Sequence, residues 1–114
     1  MGGKVVAYSL DAMNREVVFL VQACLAQISE NFLYVALTPE EDALLLTFAL
    51  ESENESDRES IAEIETNFEV MHDHVPEFRV EIKVAPENPS PPRGGRLIWV
   101  RKRDWSGMEL PAEE

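Results

Sequence analysis

Residues 32–51, FLYVALTPEEDALLLTFALE, decide the fold of this chain. They contain two apolar runs, at about 32–38 and 44–51, and the segment between the runs holds Pro39 followed by three acids. Proline and acidic residues favour turns, and two short apolar runs on either side of such a turn are typical of a β-hairpin. We therefore expect two antiparallel strands here.

The expected hairpin is apolar on both of its faces. Successive side chains of a strand point to opposite faces. A helical layer covers one face of a sheet, and a large exposed apolar patch marks an association site. We therefore expect a homodimer that uses the second face, unless residues 4–10 or the C-terminal tail cover it. On the first expected strand, alternation places Phe32, Tyr34 and Ala36 on one face and Leu33, Val35 and Leu37 on the other.

The segment before the hairpin has the spacing of an amphipathic helix. Asp11 is the expected N-cap and Asn31 the expected end, so the pattern predicts a helix over about 12–30. The apolar stripe recurs at steps of three and four residues, and its members are Met13, Val17, Leu20, Cys24 and Ile28.

The segment after the hairpin combines helical spacing with many acids. It reads ESENESDRESIAEIETNFE at residues 51–69. Ser56 and Glu59 match a capping box, which predicts a helix that begins at this point. A narrow apolar stripe predicts the packed side of the helix, while acids occupy most of the remaining surface. The stripe is formed by Ile61, Ile64, Phe68 and Met71.

The rest of the chain supplies two further strands. Alternating apolar and charged residues predict a strand over 78–84, four prolines and two glycines within 85–95 predict a long loop, and a last strand is predicted over 96–103. The element order amounts to two αββ units. We expect an α+β fold, a two-layer α/β sandwich in which two helices cover one face of a four-stranded antiparallel sheet, with residues 4–10 as a candidate fifth strand.

Composition fits one globular domain, which we place at 1–104, followed by a flexible acidic tail at 105–114. The chain has 114 residues, 45% of them hydrophobic, and a formal net charge of −12. Its single cysteine, Cys24, excludes an intrachain disulfide and favours a reducing, cytoplasmic location. No apolar run is long enough to cross a bilayer, so we expect no membrane partner.

No sequence motif for catalysis, phosphate binding or metal binding is present. His72 and His74 are two residues apart, and side chains at that spacing on a helix point away from each other, so no metal site is predicted. Cys24 lies within an apolar stripe and is expected in the core. We expect no cofactor and favour a protein without enzymatic activity, with an enzyme kept as an alternative.

Half of the bases are concentrated near the C-terminus. Residues 93–103 hold five of the ten Lys and Arg side chains and no acid. Bases interleaved with an aromatic residue are found on nucleic-acid surfaces, but the acid excess elsewhere repels phosphate. We therefore do not expect nucleic acid as a partner, and a basic strand that pairs with acids of its own protein is the simpler interpretation. We expect four residues to form the dimer interface or a second binding surface: Tyr34, Trp99, Arg101 and Arg103.

Acids on the second helix are the main candidate for function. They lie off the apolar stripe, and a dense set of like charges steers a partner of opposite charge. We expect a small protein-interaction module that binds a basic protein, as an inhibitor, immunity or chaperone-like protein would. The alternative is a dimeric small-ligand-binding or regulatory module. The expected partner-binding residues are Glu55, Glu59, Glu63 and Glu69.

Overall fold

The computed structural model describes residues 8–101 and confirms the predicted α+β class. The expected tail at 105–114 and the predicted site residue Arg103 lie outside the described residues. The described elements are, in chain order, α1 (Leu10–Ala23), β1 (Phe32–Pro39), β2 (Leu44–Leu50), α2 (Glu55–Val70), β3 (Phe78–Val84) and β4 (Arg96–Val100).

The four strands form one sheet in the order β3-β2-β1-β4. The predicted hairpin occupies the centre, where β1 pairs antiparallel with β2 on one side and with β4 on the other. β2 and β3 are parallel, so the prediction of a fully antiparallel sheet is wrong at this pair. The cause is α2, which at 16 residues is about 24 Å long and returns the chain to the end of the sheet where β2 begins.

One hydrophobic core lies between the sheet and the two helices. Both helices contribute to it, and all its strand residues come from one face of the central hairpin, so the predicted two-layer arrangement is observed. The helix residues are Met13, Leu20, Ala23, Cys24, Ile61, Ile64 and Phe68, and the strand residues are Phe32, Val35, Leu37, Leu44, Leu46, Phe48 and Leu50.

A β-bulge in β1 changes which side chains share a face. The register shifts between Phe32 and Tyr34, so Leu33 is an extra residue in the strand. Simple alternation placed Phe32 with Tyr34, and this is wrong because the extra residue reverses the phase. Phe32 belongs to the helix-facing core, whereas Tyr34 lies in a cluster on the second face. That second cluster consists of Leu33, Tyr34, Ala36 and Ala49.

α1 starts earlier than the stripe predicts. The N-cap is Ser9, whose hydroxyl accepts a hydrogen bond from the Ala12 amide at 3.1 Å, and the predicted cap Asp11 lies inside the first turn. A serine hydroxyl satisfies one of the free amides at a helix start as well as a carboxylate does. Because Leu10 is already helical, the candidate fifth strand over 4–10 is wrong at its C-terminal end. Residues 4–7 lie outside the described residues.

α1 also ends seven residues before the predicted boundary. The helix stops at Ala23, and Cys24 is its C-cap. Ala26 has φ of 66°, in the left-handed region that a right-handed helix cannot accommodate. The apolar spacing continues to Ile28 because the turn after the helix also packs on the core. The predicted helix over 12–30 therefore merged a helix with the turn that follows it.

α2 is capped by a residue that the sequence pattern did not indicate. Asn54 is the N-cap and accepts a hydrogen bond from the Asp57 amide at 3.2 Å. The predicted capping box at Ser56 and Glu59 is therefore wrong, since Ser56 already lies within the helix. Ile64 and the rest of the predicted stripe inside the helix are buried, which confirms the side on which α2 packs.

The observed cap at Asn54 and the predicted capping box at Ser56 lead to different expectations for two substitutions. Asn54→Ala removes the side-chain acceptor at the start of α2 and should lower the free energy of unfolding by about 1 kcal/mol. Ser56→Ala changes an exposed side chain inside the helix and should stay within about 0.5 kcal/mol of the wild type. Urea unfolding followed by circular dichroism checks both. A larger loss for Ser56→Ala would restore the capping box.

Candidate functional site

An acidic face runs along the solvent side of α2. It consists of Glu55, Glu59, Glu63 and Glu69, and all four side chains are exposed. With 3.6 residues per turn, these positions fall within an arc of about 120°. The face exists because Ile61, Ile64 and Phe68 hold the other side of the helix against the sheet. The exposure that the sequence predicts for these glutamates is therefore observed.

The glutamates of the acidic face are not ion-paired in the part of the chain that the structure describes. None of its four carboxylates forms an ion pair or a side-chain hydrogen bond with another residue of 8–101. The acids that do form ion pairs lie elsewhere: Glu53 with Arg58, Glu40 with Arg79, Glu51 with Arg101, and Glu16 with His72.

The one base on α2 is already engaged. Arg58 donates to both carboxylate oxygens of Glu53, with Nη2 at 3.1 Å from Oε1. This hydrogen bond lowers the pKa of Glu53 and raises the pKa of Arg58. The guanidinium is thus directed toward the loop that precedes α2, so it does not neutralise the acidic face.

Another acid of α2, Asp57, has a different role. It is buried, and its carboxylate accepts from the Ser29 hydroxyl and from the Asn31 side-chain amide, both at 2.8 Å. The Asn31 side chain also accepts from the Ser52 amide at 3.1 Å and donates to the Ser52 carbonyl. These bonds tie the start of α2 to the chain segments before β1 and after β2. Asp57 therefore orients the acidic face without belonging to it.

Of the residues predicted to share a second surface, the three that the structure describes are not brought together. Tyr34 lies on the second face of the sheet and is 1% exposed. Trp99 packs against the helix-facing core, because a bulge in β4 places Ile98 and Trp99 on the same side. Arg101 donates to the Glu30 carbonyl and to the Glu51 carboxylate, both at 2.8 Å. This pairing agrees with the interpretation of the basic strand as a partner for the protein's own acids.

The second face of the sheet is less apolar than its sequence indicates. Three buried hydroxyl groups there have no hydrogen-bond partner in the described structure, those of Tyr34, Thr38 and Thr47. Burial, and to a smaller extent the Glu81 carboxylate, raises the pKa of Tyr34, so its hydroxyl remains a hydrogen-bond donor. The sequence signal for this feature is the pair of threonines, Thr38 and Thr47, within otherwise apolar strands.

An apolar groove lies between the end of α1 and the edge strand β4. Its volume is about 240 Å³. Burial raises the pKa of the Cys24 thiol from an ordinary 9.0 to about 12, so the thiol is protonated and unreactive at neutral pH. Cys24 is thus a core residue, as the stripe predicts. The groove is lined by Val21, Cys24, Leu25, Ala26, Ile28, Ile98 and Trp99.

A buried polar pair joins the two helices. His72, just after α2, makes a 2.7 Å hydrogen bond through Nε2 with the Glu16 carboxylate of α1, while its Nδ1 lies 2.8 Å from the Phe68 carbonyl. Phe19 and Phe68 contact the imidazole edge-on, each with ring centroids 4.7 Å apart from it. Both ring nitrogens are occupied, so this histidine serves helix packing and has no free nitrogen for catalysis. Sequence spacing could not indicate a pair 56 residues apart.

Comparison with protein-family models and with curated proteins finds no match to this chain. Within residues 8–101, no three His, Cys, Asp or Glu side chains are grouped so that they could hold a metal ion. No helix in that same range is long and apolar enough to cross a membrane.

The position of Cys24 predicts slow alkylation of the folded protein. Burial raises the pKa of the Cys24 thiol from 9.0 to about 12, so the folded state contains far less of the reactive thiolate than a freely exposed thiol. Iodoacetamide at pH 8 should label the native chain far more slowly than the urea-unfolded chain, as followed by mass spectrometry. Because Cys24 is the only cysteine, the signal has one source. Equal rates in the two states would show that the thiol is exposed.

Removal of Glu16 should destabilise the contact between the helices. Glu16→Ala leaves the buried His72 imidazole without one of its hydrogen-bond partners, and such a loss costs about 1–3 kcal/mol. The matched control is Glu69→Ala, an exposed glutamate without an ion pair in the described residues, which should stay within about 0.5 kcal/mol of the wild type. Urea unfolding measures both. Equal effects would mean that the Glu16–His72 contact contributes no stability.

Proposed function

We propose that this protein is a non-enzymatic interaction module that binds a basic protein partner through the acidic face of α2. The observation that carries the proposal is the set of four exposed glutamates without an ion pair in residues 8–101. Small inhibitors, immunity proteins and chaperone-like proteins act by such binding. We further propose that the protein acts as a homodimer in the cytoplasm, where its single thiol stays reduced.

Helix stability accounts for Glu55, whose charge in the first turn favours the helix dipole, but not for the other glutamates of the acidic face. Glu55 and Glu59, and likewise Glu59 and Glu63, are four residues apart, and like charges at that spacing destabilise a helix by a few tenths of a kcal/mol per pair. The helix is held by its apolar stripe, by the Asn54 cap and by the Asp57 hydrogen bonds. A charge that costs stability and has no partner within the described chain is better explained by a partner outside it.

The arrangement of the four glutamates favours rapid association with a partner. It does not form a deep pocket that encloses a ligand. Four negative charges on one exposed helix face create a local field that attracts a cationic surface and orients it along the helix. Because exposed charges are screened within about 8 Å at physiological salt, the effect should fall as ionic strength rises. The identity of the partner would then depend on the spacing of its bases and on shape.

The groove supports a second candidate, a dimeric small-ligand-binding or regulatory module. Ligand sites are concave and mostly apolar, and the groove has both properties. Its volume of about 240 Å³ is smaller than the roughly 300–1,000 Å³ of typical ligand pockets. It also lacks convergent polar groups among its lining residues. The acidic face is therefore the better supported site.

Replacement of three glutamates tests the acidic face. The triple variant Glu59→Gln, Glu63→Gln and Glu69→Gln should bind a basic probe about tenfold more slowly at low salt, because the steering field is weakened. The probe is an alanine-based helical peptide with lysines four residues apart, and its association rate is measured by stopped-flow fluorescence. The melting temperature should be unchanged or higher, because the repulsive pairs Glu55–Glu59 and Glu59–Glu63 are both removed.

A charge-matched variant distinguishes the effect of the acidic face on the association rate from the effect of the net charge. Glu30→Gln, Glu41→Gln and Glu87→Gln remove three exposed acids elsewhere and change the net charge by the same amount. This control should keep most of the wild-type association rate. Equal rates for the two triple variants would contradict the proposal, since only the net charge would then matter. A loss of stability in the first variant would make its glutamates structural.

A further inference from the structure

An apolar ridge forms one wall of the groove. Val18, Val21 and Leu25 are 51%, 40% and 66% exposed, and they follow one side of α1 into the turn behind it. The opposite wall is Ile98 and Trp99 of β4. β4 is an edge strand of the described sheet. A ridge of exposed apolar side chains beside an apolar groove, at a sheet edge, is a typical association surface.

The charges on this side differ from those on the rest of the molecule. The exposed side of α1 carries one acid, Asp11, and one base, Arg15. On β4, the Arg96 side chain donates to the Asn14 side chain at 3.1 Å. Beyond β4, the Arg101 side chain donates to the Glu30 backbone carbonyl and to the Glu51 carboxylate. Among residues 8–101, the surface around the groove therefore has no acid excess, in contrast to the acidic face of α2.

This charge distribution decides which occupant fits. Two copies of a chain with a net charge of −12 repel each other, so they can approach most readily where the acid excess is absent. A basic partner is drawn instead to the acidic face on α2. A small apolar ligand would fill a groove of only about 240 Å³ and would leave the exposed ridge uncovered. A second copy covers both the ridge and the groove.

We propose that the ridge and groove of α1 and β4 form the contact between two copies of this chain. In a two-fold symmetric dimer, the same patch meets itself, so a ridge next to a groove is self-complementary. Leu25 of one copy enters the groove of the other, and the reciprocal contact forms at the same time. This inference rests on the proposed homodimer and assigns its interface to this surface instead of the second face of the sheet.

Leu25→Glu tests the interface. The side chain is exposed in the single chain, so the variant should fold, and a circular-dichroism melt confirms this. A buried anchor of this kind dominates binding, so the dissociation constant of the dimer should rise about thirtyfold or more. Sedimentation equilibrium across the micromolar range measures it. The matched control is Val70→Glu, which adds the same charge at a residue 73% exposed on α2 and should leave the dimer intact.

The possible outcomes distinguish three claims: that this surface is the dimer interface, that the chain forms a homodimer, and that α2 binds a basic partner. A wild type that dimerises, with Leu25→Glu monomeric and Val70→Glu dimeric, supports the interface. Equal dimerisation of all three proteins overturns this surface but leaves the homodimer standing. A wild type that is monomeric throughout overturns both, and does not affect binding of the basic peptide by α2. A monomer that binds the apolar dye ANS in a Leu25-dependent manner also overturns the inference, because the groove would then be a small-ligand site.

Discussion

Both strands of the β1–β2 hairpin are buried on both of their faces, and this double burial requires the hairpin to occupy the centre of the sheet. All seven residues of β2 are buried, and β1 is buried as far as Thr38. Strands this apolar cannot lie at the edge of a sheet without exposing a template for aggregation. β3 and β4 therefore flank the hairpin on either side, and the helices pack together on one face.

The position of α2 follows from the hairpin. The helix leaves the end of β2, crosses the helix-facing side of the sheet and delivers the chain to β3, which pairs parallel with β2. Its apolar stripe packs against the core, and the Asp57 hydrogen bonds fix its first turn. The opposite side of α2 has no role in the packing. Its charge is thus available for binding, which is why we propose a binding role for this side of α2.

The sequence predicts those features that depend on local periodicity. The hairpin, the apolar side of α2 and the exposure of its glutamates all follow from spacing along one element. The parallel pair and the two bulges do not, because they depend on how distant segments meet. The bulge in β4 moved Trp99 away from the face predicted for it, and the Glu16–His72 pair joins residues from different helices. The helix starts were misplaced for a simpler reason, since Ser9 and Asn54 lie just outside the apolar stripes that defined the predicted boundaries.

Amide hydrogen exchange, resolved residue by residue in the native protein, tests most directly the claim that the hairpin organises the fold. The slowest-exchanging amides should lie in β1 and β2, because they are released only when the whole core unfolds. The amides of the edge strand β4 and of the first turn of α1 should exchange faster, through local opening. Exchange of β1 and β2 at the same rate as β4, or slower exchange in α1 than in the hairpin, would contradict this account.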